Sequence, residues 1–148
     1  MTARVVGWVA LLAVTLGASA ASAQAVCQRA DFEAAVGEAA EALRNLNQTN
    51  KPAFQGKLRQ LKVKRGWSHD QFLAEAAPIV QDARIAGYDE QAAAFLGKIE
   101  RLGAEGTSAE APDCARLADV RQSMQALVEV QNAKWAYMFE RIGAELSR

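Results

Sequence analysis

The chain has 148 residues, of which Lys and Arg together (17) equal Asp and Glu together (17), with one His and two Cys. That balance excludes a strongly basic nucleic-acid-coating chain and a strongly acidic tail. One His and two widely spaced Cys exclude the usual zinc-ligand spacings, and the length suits one domain with one core.

In chain order, Met1-Thr2-Ala3-Arg4 carries one positive side chain, Val5 to Leu16 is apolar, and small residues end at Ala21-Ser22-Ala23. This is the layout of a secretory signal peptide over residues 1–23, with cleavage after Ala20 as the alternative. The apolar run falls short of the roughly 20 residues that span a bilayer. No later stretch is long enough either, so residues 24–148 are expected as a soluble periplasmic or secreted domain with no transmembrane segment. Gln24-Ala25-Val26 lacks the residues of a lipoprotein site before Cys27. An even cysteine pair in an exported chain reads as one disulfide, Cys27 to Cys114. No Cys-x-x-Cys supports redox catalysis.

The composition favours helices. Phe32, Val36, Ala39, Leu43 and Leu46 form one helical face, with Asp31 as the cap and the polar run 45–50 as the expected end. A second, shorter helix is expected from Pro52 to Gly66, with Phe54, Leu58 and Leu61 inward. Ser68 and Gln71 form a capping box for a third helix, carrying Phe72, Leu73, Ala76, Ile79, Val80 and Ala83 inward. Pro78 predicts a kink or break near Ala76-Ala77. Gly87 ends that segment, and Asp89 caps a fourth helix with Ala92, Phe95, Leu96, Ile99 and Leu102 inward. Residues 103–112 read as a loop. Asp113 caps the longest helix, from Cys114 to Leu146, whose stripe runs through Leu117, Val120, Met124, Leu127, Val128, Trp135, Met138, Phe139, Ile142 and Leu146. The expected fold is an all-α, single-domain bundle of four to five helices with one long C-terminal helix and one disulfide. The glycines Gly37, Gly97 and Gly143 fall inside helices and suggest close helix contacts.

Removing residues 1–23 leaves one net negative charge, unevenly spread. Lys51, Lys57, Arg59, Lys62, Lys64 and Arg65 stand with no acid among them, while the rest carries ten basic and seventeen acidic side chains. Trp67 follows this island. Such a basic amphipathic helix binds an acidic protein or an anionic envelope surface. The plain alternative is a solvated face paired with acids of the same bundle. The extracytoplasmic location and the lack of any binding motif argue against nucleic acid.

A second candidate surface is the back of the last helix, where Ala126, Val130, Ala133, Tyr137 and Ala144 lie opposite Trp135. It is either covered by two neighbours or forms a homodimer or chaperone-like interface through Val130 and Tyr137. A small-molecule-binding bundle is a third reading, hinted at by Gln131 within the apolar stripe. No catalytic constellation, metal set or cofactor motif is found. Ser68, His69 and Asp70 are consecutive at a helix start and diverge, so they do not form a triad. The expectation is an exported binding or accessory protein, not an enzyme.

Overall fold

The computed structural model describes residues 27–108, 110 and 113–148. The expected signal peptide lies outside the described residues. Among these residues there are four helices: α1 (Arg29–Arg65), α2 (His69–Val80), α3 (Ala83–Ser108) and α4 (Cys114–Ser147).

The two helices expected over 32–66 are one. α1 runs straight through the polar segment 45–50 and through Pro52. An interior proline removes one N–H from the helical ladder, but tertiary contacts hold this stretch. Trp135 Nε1 donates to Asn47 Oδ1 at 3.2 Å and Phe54 is buried one turn beyond the segment, while within the helix Asn50 Nδ2 adds a bond to the Leu46 carbonyl at 2.9 Å. Asp31 is not the cap itself: it sits three residues inside and accepts from the Gln28 N–H at 2.7 Å. Gly66 does end the helix, at φ 63°, where its N–H reaches the Lys62 and Val63 carbonyls. That left-handed conformation is one glycine adopts without strain.

Ser68 caps α2 as expected: the Gln71 N–H donates to its Oγ at 3.2 Å, and its own N–H donates to Gln71 Oε1 at 2.9 Å. Pro78 lies in the last turn of α2, and the break falls after it, at Gln81 and Asp82, not near Ala76-Ala77. Asp82 then starts α3, accepting the Ile85 N–H on Oδ1 at 2.8 Å. With that cap in place, Gly87 and Asp89 are interior to α3 and neither ends nor caps a helix. α3 also continues through Ser108, into what the composition marked as loop. Asp113 caps α4, accepting from the Ala115 N–H at 2.9 Å.

At about 1.5 Å per residue, α1 and α4 are rods of roughly 55 and 50 Å. They run parallel. Cys27 and Cys114, just before α1 and at the start of α4, lie at disulfide distance with Cα atoms 5.5 Å apart. The C-terminal ends of the same two helices meet through Arg65 and Glu145. α3 returns antiparallel, with Arg116–Glu105 at one end and Lys134–Asp89 towards the other. α4 is the central element: α1 and α3 both pack along it and touch each other far less. Its back face is therefore partly covered, with Val130 and Tyr137 half-buried.

The core forms two clusters along α4. Phe32, Ala35, Ala39, Ala92, Ile99, Leu117, Val120, Met124 and Leu127 pack at the disulfide end. Phe54, Leu61, Ile79, Ile85, Met138 and Ile142 pack at the other, ringed by Trp67, Trp135, Tyr137 and Phe139. Four residues expected inward are exposed: Val36, Leu73, Ala83 and Leu96. On α1 the buried stripe is centred on Phe32, Ala35 and Ala39, which leaves Val36 at its edge. The glycines expected to mark close contacts do not: a Cβ at Gly37, Gly97 or Gly143 meets nothing within 4 Å. The close contact is at Gly106, where a Cβ would fall 2.4 Å from the Phe32 ring.

Two outcomes test this packing. Gly106→Ala displaces a fully buried ring and lowers unfolding stability by about 1–3 kcal/mol, whereas Gly97→Ala raises it by about 0.5–1 kcal/mol; urea denaturation reads both. Reducing the Cys27–Cys114 bond frees a closed loop with a sequence separation of 87, and chain entropy puts the loss at about 4–5 kcal/mol. A reduced and alkylated chain that melts with the oxidised one overturns that assignment.

Candidate functional site

The basic island occupies the C-terminal half of α1. Cations suit that place, because the last turn of a helix carries the negative end of its dipole. The structure divides the island into two groups. Lys64 Nζ donates to the Leu146 carbonyl, and Arg65 Nη2 donates to the Glu145 carbonyl and to Glu145 Oε2, each at 3.2 Å. Carbonyls in the last turn of a helix lack intrahelical partners, so Lys64 and Arg65 act as the cap of α4. Lys62 Nζ sits 5.6 Å from the centre of the Phe72 ring, joining α1 to α2.

Lys51, Lys57 and Arg59 form no hydrogen bond, ion pair or ring contact among the described residues. Lys51 and Arg59 are exposed and Lys57 is half-buried. Trp67, expected as the apolar anchor, is half-buried against the second core cluster. The exposed apolar side chain of the island is Val63, at 80%. It lines a shallow groove with Gly56, Arg59, Gln60 and Lys64. The sequence carried a signal for this: Val63 lies opposite Phe54 and Leu61 on the helical wheel, among cations. The site is thus a shallow, open helix surface on which Arg59 and Lys64 flank one exposed apolar side chain.

Tyr137, placed in the second candidate interface, is engaged within the chain. Its hydroxyl donates to Asp82 Oδ2 at 2.7 Å, and the Arg84 guanidinium lies 4.4 Å from its ring centre. Arg141 donates to the same carboxylate oxygen. Val130 packs against the first core cluster. Asp82 thereby serves two ends: it caps α3 and latches the α2–α3 junction onto α4. Its pKa is lowered, first by the hydrogen bond from the Ile85 N–H and then by that from Tyr137, with Arg141 adding to both. Tyr137 is correspondingly pushed up, chiefly by its bond to Asp82. Asp82 was missed in sequence, although an Asp three residues before the buried Ile85 is a capping pattern.

His69 is exposed at the first position of α2, and Gln131 is half-buried on α4. Among the described residues, no group of three His, Cys, Asp or Glu side chains is placed to hold a metal ion. None of the described helices is long and apolar enough to cross a membrane. These features define an all-α helical bundle with a cysteine pair tying its two long helices. Compared with protein families, curated proteins and solved structures, the chain matches none.

The latch has a definite pH signature. A carboxylate whose folded pKa lies below its usual value near 3.8 stabilises the fold above that value and ceases to do so as pH falls through the folded pKa. Asp82→Asn keeps the shape but removes this titration. The variant is less stable than the wild type at pH 6, and the gap closes towards pH 2 in thermal melts.

Proposed function

We propose that this chain is an exported envelope protein that acts by binding, and that the C-terminal half of α1 associates with an anionic envelope surface. The observation that carries the reading is the trio Lys51, Lys57 and Arg59, free of intramolecular partners on the half of α1 that also exposes Val63, with Arg59 lining the same groove as Val63. Two cations of the island are used to cap α4; these three have no such use in the fold. A shallow, open surface with cations beside one apolar side chain suits a broad anionic surface better than a shaped ligand. The signal-peptide layout of residues 1–23 supports a location where such surfaces are met.

Juxtamembrane cations contribute about 1 kcal/mol each at an anionic bilayer. Binding by three to five of them is weak and reversible, and salt weakens it. The test is co-sedimentation with vesicles of phosphatidylglycerol and phosphatidylcholine against phosphatidylcholine alone. The wild type partitions to the anionic vesicles and is released by 0.5 M salt. Lys51→Ala with Arg59→Ala weakens partitioning about thirtyfold without lowering the melting temperature, because both side chains are exposed and neither has a partner to lose. Equal binding to neutral vesicles, or an unaffected double variant, overturns the reading. Preferential capture of an acidic peptide moves the same cations to a protein partner.

A further inference from the structure

The opposite end of the rod carries a different surface. Between α1 and α3, near the disulfide, lies an open trough of about 500 Å³. Its apolar floor and walls come from Phe32, Val36 and Ile99, and Val36 is 41% exposed there. Two carboxylates, Glu33 and Glu100, border it, and among the described residues no cation lines it. Neither carboxylate forms an ion pair within the described chain.

The trough stays open partly because Gly37 and Gly103 stand on its two walls. Both are interior helix residues, where Ala is the better helix former. A Cβ at either position meets nothing within 4 Å. Packing within the chain therefore does not call for glycine at these positions, in contrast to Gly106. Adding methyl groups there would narrow the trough from both sides.

We propose that this trough binds a hydrophobic cation, meaning an elongated apolar molecule with one positive head. The apolar body lies along Phe32, Val36 and Ile99, and the head sits between Glu33 and Glu100. The volume falls in the range of small-molecule sites. The charge of the border selects cation over anion. This site is independent of the cations on the far half of α1, so its failure leaves the vesicle experiment untouched.

The probe is decyltrimethylammonium below its micelle-forming concentration, with decanoate as the anionic control of equal chain length. Methyl resonances of Val36 and Ile99 locate the binding, and calorimetry measures it. The cation binds about tenfold more tightly than decanoate. Glu33→Gln with Glu100→Gln removes that preference. Gly37→Ala with Gly103→Ala melts at a higher temperature than the wild type yet binds the cation about tenfold more weakly, a pairing that general destabilisation cannot produce. Equal affinity of the wild type for both probes, or an alanine pair that binds as tightly as the wild type, overturns the proposal.

Discussion

The structure depends on holding two long parallel helices together at both ends. α1 and α4 point the same way, so their dipoles do not offset each other as those of an antiparallel pair do. One end is tied at Cys27 and Cys114. At the other, Lys64 and Arg65 place positive charge on the terminal carbonyls of α4. The α2–α3 return is what lets consecutive long helices be parallel at all. It brings the chain back from the far end of α1 to the near end, where α4 begins. Asp82 secures the start of that return to α4 through Tyr137 and Arg141.

This arrangement assigns different work to chemically similar residues. Six cations are clustered in sequence, but the fold spends Lys64 and Arg65 on a helix end and Lys62 on an aromatic face. Glycine is divided likewise. Gly66 supplies a left-handed turn and Gly106 makes room for Phe32, while Gly37 and Gly103 have no such constraint. In both cases the residues without a structural task are the informative ones, and they lie at opposite ends of the rod.

Much of the architecture was legible in the sequence. The all-helical class follows from composition and periodicity. Ser68, Gly66 and Asp113 were readable as helix ends because their side-chain chemistry or backbone freedom acts locally. Errors arose where distant contacts decided the outcome. The polar run 45–50 looks like a helix end until Trp135 is brought against Asn47. Residues 103–108 look like a loop until Phe32 fills the space left by Gly106. The break after α2 was misplaced because Pro78 is visible locally, whereas the double role of Asp82 needs Tyr137 and Arg141. For the basic island, the charge was evident; which cations remain available was not, since that depends on where α4 ends.

The two ties differ in kind. One is a covalent bond sensitive to thiols, and the other is a set of charge-to-carbonyl contacts sensitive to ionic strength. Each core cluster lies beside one of them. Local opening can therefore begin at either end of the molecule, as in proteins whose cooperative units differ in stability. Reduction acts on the tie beside Phe32, and salt screens the contacts beside Leu61. Redox state and salt thus act on opposite ends of one short chain.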